Sequence, residues 1–279
     1  MDNLEFENLT AEELRTYVQS HPEGSYLLID VRQPAEYAKG HIPGARLMPL
    51  PEVESGLFSL PSDRDLIFYC RNGGRSQWAA SLAGEGEACE KNVYNLMNGI
   101  LGWEDKILPG YPRIQIFEKG EGLEQLLETA MDLEKGAWRF YQTIVDRYPD
   151  DPIRPTVEQV AIAEKAHAGL IYRFWQQFQK EPPPFDRFYQ NLKGDILEGG
   201  QSLDDACRLL ETAATRGIPA VIELAMTIEY SAFDLYRTMA EQTENAEANA
   251  TFLSIAQAEK AHLRSLTRAL NLTSATGAV

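Results

Sequence analysis

Two stretches of this 279-residue chain repeat one acidic pattern: a lone glutamate, Glu134 or Glu229, is followed 30 residues later by Glu-x-x-His, as Glu164/His167 or Glu259/His262. An offset of 95 also superposes Leu133 on Ile228, Ala137 on Ala232, Tyr141 on Tyr236, and the five residues ending at His167 on those ending at His262. Apolar steps of three and four surround each acid. Leu123, Leu127, Ala130, Glu134, Ala137, Tyr141 and Ile144 share one helical face, and Val160, Glu164, His167, Ile171, Phe174 and Phe178 share another. Phe252, Ile255, Glu259, His262 and Leu266 do the same further on. A carboxylate buried without a partner costs on the order of several kcal/mol, so few folds can aim four of them inward.

Four long segments carry helical periodicity: Gly120 to Tyr148, Thr156 to Lys180, Ile218 to Ala240 and Ala246 to Leu270. The breaks inside each pair are short and polar (Tyr148 to Pro152, Glu241 to Ala250), which predicts two antiparallel hairpins. Glu134 and Glu164 each stand 15 residues from the middle of the first break, roughly 22 Å along a helix, and Glu229 with Glu259 are placed alike about residue 244. All four therefore lie level. The long connection 181–219, with Pro182 to Pro184 at its start and an amphipathic Leu203 to Ala213 inside it, suits a crossover between the hairpins.

The bland alternative leaves these glutamates exposed on ordinary helices. The matched pairs favour a dinuclear metal site with Glu134, Glu164, His167, Glu229, Glu259 and His262 as ligands, in which two cations balance the carboxylates and each takes one imidazole. Such a hard, oxygen-rich set suits two ions of iron, manganese or a mixed pair better than zinc.

The first 112 residues read differently. A capping box at Thr10/Glu13 opens a helix to about Ser20; Tyr26 to Val31, Asp65 to Cys70 and Asn92 to Leu96 read as strands, and Ser76 to Ala83 as a helix. Alternating strands and helices imply a mostly parallel sheet. Cys70 closes a strand and opens the loop Cys70-Arg71-Asn72-Gly73-Gly74-Arg75 before a helix that begins near Ser76. Its glycines let backbone N–H groups turn inward as an anion nest, and Arg71 and Arg75 add positive potential, an environment that favours a thiolate. A small apolar Cys at a strand end is the alternative. Cys89 and Cys207 show no partner; three scattered cysteines exclude a disulfide framework and a four-cysteine metal site.

The segment from about 120 to 270 resembles a ferritin-like di-iron domain of the rubrerythrin type, its six Glu and His residues matching the ligand pattern. The four cysteines of a rubredoxin module are absent, and Ala232 stands where a further glutamate follows the third-helix ligand. Tyr141 and Tyr236, two turns from Glu134 and Glu229, are assigned first to packing, with lining of the site as the alternative. Residues 1 to 112 resemble a rhodanese domain through Leu28 to Arg32, Glu36-Tyr37, Gly40 to Ala45, the Cys70 to Arg75 loop, Gly99-Ile100, Trp103 and Gly110 to Pro112. The six-residue loop is similar to that of sulfurtransferases and shorter than that of the related phosphatases. Asp30, Arg32 and His41 are assigned to the framework.

The expected architecture is multidomain: an α/β rhodanese-like domain at 1–112, a linker at 113–120, an all-α ferritin-like four-helix bundle at 121–272 and a disordered tail at 273–279. The resemblance implies a sulfurtransferase with Cys70 as nucleophile, assisted by Arg71 and Arg75, its loop (Asn72, Gly73, Gly74, Ser76) binding substrate. It further implies rubrerythrin-like oxidoreductase activity toward peroxide or dioxygen at the di-iron site. The alternative is an iron-binding or dimerisation module that scaffolds a non-catalytic sulfur carrier. Expected partners are a small sulfur donor and acceptor, peroxide or dioxygen, an unidentified electron donor, and a second copy through the bundle. A net charge of −16 and a pI near 4.7 argue against nucleic acid and anionic membrane surfaces. With no apolar span or secretory signal in the sequence, the expected location is cytoplasmic.

Overall fold

The computed structural model describes residues 6–85, 90–117 and 122–276; Cys89 lies outside them. The chain divides into two compact units, Met1–Tyr111 and Pro112–Val279.

In the first unit the elements run β1 (Glu7–Leu9), α1 (Ala11–Ser20), β2 (Tyr26–Asp30), α2 (Pro34–Tyr37), β3 (Arg46–Leu47), α3 (Leu50–Ser55), β4 (Asp65–Tyr69), α4 (Gly74–Glu85) and β5 (Val93–Leu96). The Thr10 hydroxyl accepts the Glu13 N–H while the Glu13 carboxylate accepts that of Thr10, fixing where α1 starts. The five strands are all parallel in the order β1-β5-β4-β2-β3. β2 and β4 pair from Tyr26↔Asp65 to Asp30↔Tyr69. Helices cover both faces of a parallel sheet, so β2 reads as an unbroken apolar run and all five of its residues are buried. One face packs Leu27, Ile29, Leu66, Phe68 and Ala79; the other packs Leu14, Leu28, Ile67 and Tyr69. Cys70 therefore emerges at the carboxyl end of a central strand, where open α/β sheets place their ligand sites.

The second unit is all-α: α5 (Leu123–Arg147), α6 (Arg154–Trp175), α7 (Phe185–Asn191), α8 (Leu203–Ala214), α9 (Ile218–Gln242) and α10 (Ala246–Thr276). α5 packs on α6 and α9 on α10, each pair joined by a short turn, and α7 and α8 lie in the crossover. Asn245 caps α10 by accepting the N–H groups of Glu247 and Ala248 at 3.0 and 2.9 Å. No helix among the described residues is long and apolar enough to cross a membrane.

Two apolar clusters fill this bundle, and every long helix passes from one to the other at its glutamate. On α5 the change falls between Leu133 and Ala137, on α6 between Ala161 and Ala168, on α9 between Ile228 and Phe233, and on α10 between Ala256 and Leu266. Glu134, Glu164, Glu229 and Glu259 thus form a polar layer between two dry ones.

Several boundaries differ from expectation. The polar break placed at 241–250 shrinks to 243–245, because Asn245 starts the next helix early. The tail placed at 273–279 is corrected for 273–276, which continue α10, while 277–279 lie outside the described residues. Of the linker at 113–120, Ile114, Ile116 and Phe117 pack against the bundle core, and 118–120 lie outside the described residues. Phe178, expected on the inner face of the second helix, is 44% exposed because α6 ends at Trp175.

Candidate metal centre and thiolate loop

The structure brings all six expected metal ligands together. His167 Nδ1 lies 3.3 Å from Glu134 Oε2, 3.3 Å from Glu164 Oε2 and 3.2 Å from Glu259 Oε1. His262 Nδ1 lies 3.4 Å from Glu164 Oε1, 2.8 Å from Glu229 Oε2 and 3.1 Å from Glu259 Oε2. Glu164 and Glu259 therefore offer one oxygen to each histidine, the disposition of bridging carboxylates. Glu134 and Glu229 each face a single histidine and are terminal in that sense. Among the described residues, donor atoms of Glu164, Glu229, Glu259 and His262 lie within 4.8 Å of one another, as do those of Glu134, Glu164 and His167.

Hydrogen bonds do not satisfy this arrangement. An imidazole Nδ1 carries at most one proton, yet each of these two faces three carboxylate oxygens, which when ionised can only accept. Glu134 Oε2 and His167 Nδ1 are buried with no hydrogen-bond partner. Burial pushes the Glu134 carboxyl up to about 8 and Glu229 well above the usual carboxylate range. Burial also opposes charge on His262, but Glu259, Glu229 and Glu164 raise that imidazole to about 12. Orphaned donors and mutually repelling acids in a dry layer are what two cations would compensate, so the residues present fit a dinuclear metal centre.

The phenol of Tyr236 donates to Glu134 Oε1 and that of Tyr141 to Glu229 Oε1. The tyrosines, assigned first to packing, thus take the alternative role of lining the site, and each ties the glutamate of the other repeat. The free oxygen of each terminal glutamate is left facing its histidine. Equal spacing within the repeats marked both tyrosines, but pairing across them is a tertiary matter. Glu198, in the crossover, was missed altogether. It is buried, and burial together with the charges of Glu134, Glu164 and Glu259 raises its pKa well above the usual range.

In the first unit, Cys70 Sγ accepts the Gly73 N–H at 3.2 Å and has the Ser76 hydroxyl at 3.4 Å. Burial opposes the thiolate, but the Ser76 hydroxyl and the backbone N–H groups of Ser76, Asn72 and Gly73 outweigh it, holding the thiol below its ordinary value. Gly73 has φ +96°, and a Cβ there would sit 3.3 Å from Asn98 N. Gly99 lies against the strand end: a Cβ on it would meet the Cys70 carbonyl at 2.4 Å. Cys70 is buried, and Arg71, Asn72 and Gly74 form an exposed rim about it.

Arg75 corrects a simple reading of the loop. Its guanidinium is bidentate to Glu36 at 2.8 Å for each bond, so part of its charge is neutralised there, and it holds Glu36 down to about 2. The Ser76 hydroxyl has one proton to give, and Asn95 Oδ1, 2.7 Å away with its amide held by Asn8, competes with Sγ for it; neither Asn stood out in the sequence. Arg32 is bidentate to Asp30 and also reaches the Gly40 carbonyl, and His41 is buried and stacked on Tyr37, so all three belong to the framework. Cys207 is a half-buried free cysteine on α8.

Comparison with known proteins follows this division. The rhodanese-like domain family matches residues 10–106, and the rubrerythrin family residues 125–270. A sulfurtransferase of Allochromatium vinosum is 42% identical over 84 residues, covering 30% of this chain and 76% of that protein. A probable adenylyltransferase/sulfurtransferase, MoeZ, of Mycobacterium tuberculosis is 38% identical over 103 residues, covering 36% of this chain and 25% of that protein. A solved rhodanese-like domain protein from Staphylococcus aureus is 23% identical, covers 37% of this chain and 98% of its own, and has a TM-score of 0.33. The rubrerythrin match takes in all six converging ligands and the rhodanese-like match the whole Cys70 loop, so the chain belongs to the rubrerythrin family and carries a rhodanese-like domain in its first unit.

Proposed function

We propose that this is a two-domain redox and sulfur protein: a sulfurtransferase working through a Cys70 persulfide, joined to a di-iron carboxylate oxidoreductase acting on peroxide or dioxygen. The observation that carries the second half is the reciprocal set of carboxylate and imidazole contacts at 2.8–3.4 Å, a cage with two adjoining pockets and too few protons to satisfy it. Two iron ions bound there supply a centre that exchanges electrons between ferrous and ferric states and so reduces peroxide or dioxygen with electrons from an external reductant. Glu164 and Glu259 would span the ions, Glu134 and His167 would hold one, and Glu229 and His262 the other. Tyr141 and Tyr236 keep the terminal carboxylates aimed inward, and the apolar layers on either side exclude bulk water.

At the other site the Cys70 thiolate attacks the outer sulfur of a donor such as thiosulfate, forming the S–S bond of a persulfide and releasing sulfite. A nucleophilic acceptor then takes that terminal sulfur and restores the thiolate. The N–H groups around Sγ support the anion in both forms.

The decisive experiment is steady-state turnover. Iron-loaded protein with a reductant should consume peroxide catalytically, and Glu164→Ala, which removes a bridging ligand, should abolish this. An unchanged rate in that variant removes the oxidoreductase reading. Cys70→Ser should end sulfur transfer from thiosulfate to cyanide without touching peroxide turnover. Iron that binds once and stays inert would instead support a metal-binding scaffold.

A further inference from the structure

Glu198 sits in the loop between α7 and α8, beyond the reach of the helical periodicity that located the six ligands. Its side chain is 1% exposed and its Oε2 has no hydrogen-bond partner. An ionised carboxylate in that condition needs a cation or a proton.

The backbone that carries it is clamped to the helix of Glu134. Asp132 Oδ1 accepts the N–H groups of Lys193 and Gly194 at 2.7 and 3.0 Å, and Arg139 donates to the carbonyls of the same two residues at 2.6 and 3.0 Å. Gly136 makes room, since a Cβ there would lie 2.1 Å from the Ile196 carbonyl oxygen. On the other side, a Cβ at Gly199 would lie 3.0 Å from Ser231 Cβ, two residues beyond Glu229. Glu198 is thus wedged between α5 and α9 within a turn of both terminal ligands. The largest charges acting on it are those of Glu134, Glu164 and Glu259.

Resting on the di-iron reading above, we propose that Glu198 is a seventh protein ligand, reaching the ion held by Glu134 and His167 from the crossover loop. That pocket offers one nitrogen and three oxygens, because one oxygen of Glu134 is taken by Tyr236 and those of Glu164 and Glu259 are shared with the second pocket. Four donors leave positions open on an iron ion. Glu198 stands outside the two sets whose atoms lie within 4.8 Å, so it joins by turning its side chain as the ion enters. The repeat supplies no counterpart: an offset of 95 from Glu198 falls at Trp103, outside the bundle. The two ions are therefore inequivalent. Four glutamates balance two divalent ions, and a fifth balances the added charge when one becomes trivalent, so Glu198 favours the oxidised state.

Full-length wild type and Glu198→Gln should be titrated anaerobically with Fe(II) by calorimetry, and the midpoint potential of the loaded proteins measured. The wild type should take up two ions per chain. In Glu198→Gln one site should weaken by about 10- to 100-fold with the other unchanged, and the potential should rise. Glu198→Asp, which keeps the charge one carbon shorter, should move both readouts the same way by less and covers a failure of the amide variant to fold. Unchanged affinities and potential in these variants overturn the proposal alone. Uptake of fewer than two ions by the wild type overturns the di-iron reading and this proposal with it.

Discussion

At the scale of single residues, both sites depend on how hydrogen bonds divide charge. Around Cys70 the thiol is held below its usual 9.0 by donors, first among them the Ser76 hydroxyl. Alkylation by iodoacetamide should accordingly reach half its limiting rate below pH 9, and Ser76→Ala should shift that midpoint upward; an unmoved midpoint would show that the backbone N–H groups suffice. In the bundle, Tyr236→Phe and Tyr141→Phe each remove one phenol from a terminal glutamate. A hydrogen bond to a charged group is worth about 1.5–3 kcal/mol, so each change should weaken Fe(II) binding by roughly tenfold or more, read in the same titrations. Cys70, the six converging Glu and His residues and the tyrosine positions were legible in the sequence because motif and repeat mark them. The pairing of Glu36 with Arg75 and of Asn95 with Ser76 was not, since the partners lie 39 and 19 residues apart, and neither was Glu198, which stands in a loop with no periodicity.

At the scale of elements, the long helices matter less for their individual stability than for where neighbouring backbone approaches them. Gly136 and Gly169 test this. On α5, Gly136→Ala drives a Cβ to 2.1 Å from the Ile196 carbonyl and should cost about 1–3 kcal/mol, lowering the melting temperature of the metal-free protein. On α6, Gly169→Ala meets only Phe185 at 3.6 Å, an ordinary contact, and should gain up to about 1 kcal/mol from helix propensity. If both variants melt alike, the crossover does not press on α5 as described. The helix ends were read to within a few residues where a cap or proline marks them, as at Thr10. They were misplaced where a short polar turn resembles a longer one, as at 243–245.

At the scale of the whole molecule, the buried acid layer makes stability depend on pH and on metal. In the metal-free chain Glu134 is raised from 4.5 to about 8, and His262 from 6.5 to about 12. Both folded values lie above the unfolded ones, so the stability they contribute is complete below the unfolded value and is lost as pH rises toward the folded one. Their windows overlap between pH 6.5 and 8. Glu259, lowered well below 4.5, acts in the opposite sense only beneath that range. The melting temperature of metal-free protein should therefore fall from pH 6.5 to 8, and saturating iron should raise it and flatten the slope. A flat metal-free profile would mean the layer is already compensated.

Sequence alone determined the division into an α/β and an all-α half, the parallel strands, the four long helices and the six Glu and His residues that converge in the bundle. Each of these is written in local periodicity, in turn residues or in a repeat, all of which act over a few residues or recur at a fixed interval. Tertiary structure decided which carboxylates face both histidines and which face one, that each tyrosine serves the opposite repeat, that Arg75 is shared with Glu36, and that a fifth acid is buried in the crossover. Those outcomes depend on the direction in which side chains leave facing elements and on how closely two backbones can approach, and no interval along the chain encodes either.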